Sequence, residues 1–111
     1  MGITKSDIFS SKANELATIF KCLGHPARVA ILQFIIDQKA CIGNDLVEAF
    51  DLAQPTISQH LKELKSAGLI KGTIEGKSVC YCINEQKWRS VERFISSFVN
   101  QDVLPKQSGC C

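Results

Sequence analysis

The stretch "GNDLVEAFDLAQPTISQHLKELKSAG", residues 43–68, constrains the fold more than any other part of the chain. Leu46, Val47 and Phe50 give a short helix one apolar side. Ile57, Leu61 and Leu64 put a narrow apolar stripe on a second helix, and Gly68 closes it. Only Asp51, Leu52 and Ala53 lie between the two. Two helices joined by so short a turn make a helix-turn-helix candidate.

The flanking segments supply what such a pair packs against. Residues 7–22 carry Ile8, Leu16, Phe20 and Leu23 at helical spacing, and Gly24 stops that helix. "HPARVAILQFIID" follows, with Pro26 in a first helical turn and almost no polar face, which predicts a central, buried helix. After Gly68, "LIKGTIEGKSVCYCIN" reads as two strands around a turn at Glu75, Gly76 and Lys77. In the second strand Val79, Tyr81 and Ile83 point one way, and Ser78, Cys80 and Cys82 the other. A last helix over 85–101 has a broad apolar face of Trp88, Val91, Phe94, Ile95, Phe98 and Val99, more than one small core needs.

The direction opposite Ile57, Leu61 and Leu64 carries Pro55, Gln59, Lys62 and Ser66, with Thr56 and Ser58 on its shoulders. Gln reads adenine edges in a major groove, and Thr or Ser touches bases or phosphates. Lys62 and Lys65 suit phosphates, and Lys71 and Lys77 of the hairpin could follow a backbone. Gln54, Thr56, Ser58, Gln59, Lys62 and Lys77 are therefore the candidate DNA-binding residues. The net charge of +2 adds nothing to this, so the basic character must be local. His60 leans toward the apolar stripe, as a half-buried residue bonded to backbone, and His25 before Pro26 is a helix cap.

The order helix, helix, helix-turn-helix, hairpin, helix resembles the ArsR/SmtB family of winged-helix repressors. The residues that carry the resemblance are "LGHPARVAILQFI", "DLAQPTISQHLKELKSAGLIKG" and "EGKSVCYCIN", and the match covers roughly residues 13–99. It implies a mainly α fold with a small β-hairpin: a winged helix-turn-helix, dimeric through its first and last helices. It also implies a homodimer on double-stranded operator DNA that an inducer, often a metal or metalloid, releases. Residues 1–104 would form the DNA-binding domain and 105–111 a flexible Cys-containing tail.

The chain has six cysteines and two histidines. No export signal or membrane-length apolar run is present, so the cytoplasm is expected, where thiols are reduced and serve metals or redox chemistry. Two of the family's sensing sites are missing. Ile42 and Asn44 stand where the arsenic-sensing type has its Cys-x-Cys, and the last helix lacks the His of the zinc-sensing type. Thiolates select soft or borderline ions such as Zn²⁺, Cd²⁺, Cu⁺ or trivalent arsenic. The candidate ligands are Cys110, Cys111, Cys80, Cys82, Cys22 and Cys41. A three-thiolate site for arsenite is expected around Cys110 and Cys111, with Cys22, Cys41 or a wing cysteine as third ligand. No permanent cofactor is expected.

A thiol-redox or persulfide-sensing repressor of the same fold is the nearest alternative, and a soft-metal buffer protein the alternative of another class. An enzyme is not expected. There is no Cys-x-x-Cys at a helix start, no phosphate loop and no paired-carboxylate cleft recognisable in the sequence.

Overall fold

The computed structural model describes residues 8–39, 41–43, 45–75 and 78–105. Within them lie α1 (Ser11–Leu23), α2 (Pro26–Gln38), α3 (Asp45–Ala49), α4 (Gln54–Ser66), β1 (Ile70–Glu75), β2 (Ser78–Ile83) and α5 (Glu85–Val99). This is the expected order, a winged helix-turn-helix. Among the described residues no single helix is long and apolar enough to cross a membrane.

Capping chemistry sets the helix ends. Ser10 accepts the Ala13 N–H at 3.1 Å and starts α1, so the first helix begins later than its apolar spacing predicts. Ile8 and Phe9, outside it, are exposed. Gly24 ends α1 without entering the left-handed region, at φ −80°. What it supplies is room, because a Cβ there would stand 3.1 Å from the Phe20 carbonyl. α2 leaves at 87° to α1. Its cap is His25, whose Nδ1 accepts the Ala27 N–H at 3.1 Å, as the His-Pro pair suggests.

α2 is less buried than its sequence implies. Ile31, Leu32 and Ile35 reach the core, but Val29 and Ile36 lie on an outer face. The outer face mixes these apolar side chains with the exposed, hydrogen-bonded pair Gln33 and Asp37, and this chain alone covers only the other side.

The core centres on Ile31, Leu46, Ile57, Leu64, Leu69 and Ile70, each essentially without solvent contact. Full burial of one such aliphatic side chain stabilises by about 1.5–3 kcal/mol. Phe50 joins its rim, packed edge-on to Phe34 with ring centroids 5.9 Å apart. α4 is therefore pinned on one side. Its end is a Schellman arrangement: Gly68 N–H bonds to Lys65 O at 2.9 Å and Leu69 N–H to Leu64 O at 3.1 Å. Gly68 takes φ +82°, the left-handed region that favours glycine.

β1 and β2 pair antiparallel from Ile70↔Ile83 to Glu75↔Ser78. On the other side of β2, Ile42 and Tyr81 exchange both backbone hydrogen bonds, at 2.9 and 2.7 Å. β2 is thus the middle of a small three-segment sheet. Asn84 then caps α5 by accepting the Lys87 N–H at 3.4 Å. α5 returns against α1, where Lys87 meets Glu15 at 3.5 Å.

A candidate nucleic-acid interface and a thiol cluster

α4 buries Ile57, His60, Leu61 and Leu64 and leaves its other side open. Gln54, Thr56, Ser58, Gln59 and Lys62 are all exposed, together on one helix. Two of these side chains are held in place within the helix. Gln54 Nε2 donates to Ser58 Oγ at 3.0 Å, and Gln59 Nε2 to Glu63 Oε1 at 3.1 Å. The result is a row of amide and hydroxyl groups with a cation one turn on, on a helix that cannot roll. Lys65, also exposed, reaches toward the wing. Its Nζ lies 3.4 Å from where a Gly72 Cβ would stand, so it leans on the wing across a glycine that makes room for it. Lys71 is exposed, and Lys77 lies outside the described residues.

His60 is more deeply buried than expected, and its partner is not backbone. Arg28 Nε donates to His60 Nδ1 at 3.2 Å, tying α2 to α4. Arg28 also donates from Nη1 to the Cys22 carbonyl at 3.3 Å. The His25 and His60 rings lie 4.5 Å apart, tilted. Burial, then the neighbouring His25 and Arg28 charges, push the His60 pKa below its ordinary value.

The thiols are arranged in a way the sequence did not disclose. Cys41 and Cys82 form a disulfide, with Cα atoms 4.4 Å apart. The Ile42–Tyr81 bridge explains this. Those two residues form a hydrogen-bonded pair, so the next pair along, Cys41 and Cys82, is a non-hydrogen-bonded pair. Such pairs have the shorter Cα separation, about 4.5 Å. Cys80, half-buried, is on the same face of β2 as Cys82. One further step of the Ile42–Tyr81 register would bring it opposite Gly43.

Cys22 is buried, and its Sγ lies 3.7 Å from the Glu63 carbonyl. Burial pushes its thiol pKa up, only partly offset by Arg28. Cys110 and Cys111 lie outside the described residues. With Cys41 and Cys82 joined, no three His, Cys, Asp or Glu side chains among the described residues stand ready to hold a metal. A cleft of about 510 Å³ adjoins the disulfide, lined by Ile35, Ile36, Ile83 and Trp88 and by the charged Lys39, Glu85 and Arg89.

Comparison with known proteins agrees with the architecture. The profile described as "Bacterial regulatory protein, arsR family" matches residues 25–71, from the His25 cap through α4 into β1. The HTH-type transcriptional repressor SmtB of Mycobacterium tuberculosis is 38% identical over 63 residues, 57% of this chain and 46% of the repressor. The chain thus spans about half the length of that relative. The uncharacterized HTH-type transcriptional regulator MJ1325 of Methanocaldococcus jannaschii is 31% identical over 84 residues, covering 76% of this chain and 94% of that one. The arsenical resistance operon repressor of Staphylococcus xylosus is 36% identical over 72 residues, 65% of this chain and 68% of that one. Among solved structures, an ArsR-like transcriptional regulator from Rhodococcus superposes with a TM-score of 0.69 at 21% identity, covering 81% of this chain and 84% of its own. The chain belongs to the arsR family of bacterial regulatory proteins, a family of transcriptional regulators and not of enzymes.

Proposed function

We propose that the chain is a repressor that binds operator DNA as a homodimer and leaves it when a thiophilic metalloid or metal binds, trivalent arsenic being the first candidate. The observation that carries the DNA-binding part is α4 itself. Its apolar side is locked in the core by Ile57, Leu61 and Leu64, while Gln54, Thr56, Ser58, Gln59 and Lys62 face outward. Lys71 and Lys77 add phosphate contacts from the wing. A twofold dimer sets two such helices on successive turns of one groove, about 34–36 Å apart.

The dimer is supported by apolar side chains that one chain leaves uncovered. Phe20 on α1 and Phe98 on α5 meet with ring centroids 5.9 Å apart, and they are 40% and 54% exposed. Val99 beside them is 61% exposed. Covering this seam with a second copy is the simplest use of it.

The inducer reading rests on thiol content and on the arsenical resistance repressor among the relatives. The ligands are to be sought among the six thiols, Cys22, Cys41, Cys80, Cys82, Cys110 and Cys111, with no permanent cofactor. The Cys41–Cys82 disulfide favours a second reading, thiol-redox control of the same repressor. Anisotropy of labelled promoter fragments tests all three points. The expected result is a dimer that prefers a promoter fragment over random duplex and, when reduced, is released by arsenite. No preference at moderate salt rejects DNA reading. Release by peroxide with indifference to arsenite selects redox control.

A further inference from the structure

Resting on metalloid release as the function, we propose that the arsenite site is the wing cluster Cys41, Cys80 and Cys82, built without the C-terminal tail. The disulfide is its closed, oxidised form.

Four observations converge on this. Backbone pairing, not chance proximity, sets Cys41 opposite Cys82 at 4.4 Å between Cα atoms. Cys80 is two residues along the same strand face, about 6.6 Å away by strand rise. Its distance to Cys41 is that of a diagonal neighbour, about 7–8 Å. Those separations suit three flexible Cβ–Sγ arms converging on one soft, pyramidal centre. The third observation is Gly43. It follows the bridge residue Ile42, beside the strand that carries Cys80 and Cys82, and glycine leaves the space there open. The backbone does not itself demand glycine, since a Cβ at this position would make only an ordinary contact, 3.6 Å from the Val79 carbonyl. Fourth, Cys41 and Cys82 line the cleft together with Trp88, Ile35, Ile36 and Ile83, a mainly apolar approach for neutral arsenous acid that Lys39, Glu85 and Arg89 share.

The chemistry balances without a change in arsenic oxidation state. A small thiol reductant first exchanges with the Cys41–Cys82 disulfide, forming its own disulfide and leaving two protein thiols. Arsenous acid then condenses with three thiols. Three As–S bonds form, three As–O bonds break, and three waters leave carrying the thiol protons. Cys41 precedes α3 by a few residues and Cys80 lies within the wing, so the bound centre draws the wing and the helix-turn-helix together. Release from DNA needs this link to favour the free arrangement of the recognition helix over the bound one.

The test uses the reduced full chain, a non-thiol reductant and sodium arsenite. Alkylation mapped by mass spectrometry on the unaltered protein comes first, since it needs no variant to fold. Arsenite is expected to protect Cys41, Cys80 and Cys82 and to leave Cys110 and Cys111 reactive. Protection of Cys110 and Cys111 instead overturns the site. Gly43→Val keeps every thiol and is expected to weaken arsenite binding at least tenfold, with the circular dichroism spectrum unchanged. Cys110→Ser/Cys111→Ser is expected to bind as the parent does. Prior oxidation to the Cys41–Cys82 disulfide is expected to abolish uptake, and uptake undiminished by it overturns the site. Operator release separates the site from its function. Arsenite bound by the trio with DNA affinity unchanged upholds the site and rejects release as the function. Arsenite release that survives Cys41→Ser/Cys80→Ser/Cys82→Ser rejects the site and upholds the function.

Discussion

Arg28 donates its Nε–H to Nδ1 of His60 across the α2–α4 boundary, at 3.2 Å. That bond requires a lone pair on Nδ1, so His60 is neutral there with its proton on Nε2. Protonation would remove the acceptor and set a second cation beside Arg28, with His25 4.5 Å away.

The sign follows. The folded His60 pKa is lowered below 6.5. Its neutral form therefore contributes stability that is present above pH 6.5 and lost as pH falls through the folded pKa. Denaturant midpoints between pH 7.5 and 5 should fall on the acid side. His60→Gln, whose amide oxygen can still accept from Arg28, should flatten that part of the profile. An identical acid-side fall in the variant would show that His60 is not responsible.

Lys62→Ala should weaken operator and random duplex alike and reduce the slope of log K against log salt by about 1 per site, the mark of a phosphate contact. Gln59→Ala should instead lose about 1–3 kcal/mol selectively at the operator. Anisotropy titrations at several salt concentrations separate the two patterns.

Phe98→Ala should raise the dimer dissociation constant about 30-fold, equivalent to about 2 kcal/mol. Helix content should not change, because Phe98 is 54% exposed in the single chain. Sedimentation equilibrium reads the first and circular dichroism the second.

Gly68→Ala forces an alanine into the left-handed region and should cost about 1–2 kcal/mol. The new methyl meets only the flexible Lys87 side chain, at 3.4 Å, so sterics add little. For a domain this size each kcal/mol lowers the melting temperature by about 4–8 °C, measured at matched protein concentration.

Cys22 should resist iodoacetamide in the native protein and react once denatured, since burial both hides it and raises its pKa. Rapid native labelling would show that the Cys22 thiol is open to a ligand.

The elements were readable where local chemistry decides them. α4 spans Gln54–Ser66 as its stripe, Pro55 and Gly68 require. The order of helices and hairpin follows from the same kind of signal. What escaped was long-range. Cys41 and Cys82 are 41 residues apart, and they meet because Ile42 joins Tyr81, a backbone pairing with no periodicity to announce it. The His60 partner was missed for the same reason: a spacing argument places a side chain on a face but does not say which arginine reaches it. The exposed outer side of α2 was hidden because a helix with almost no polar face looks equally buried from every direction.

Only Ala67, Gly68 and Leu69 separate the end of α4 from the start of β1, and the last of them is wholly enclosed. There is no slack in that joint. α4 and the hairpin are joined like the two arms of a bent lever. Whatever grips the hairpin's far strand would therefore act on the outward face of α4 through this short joint.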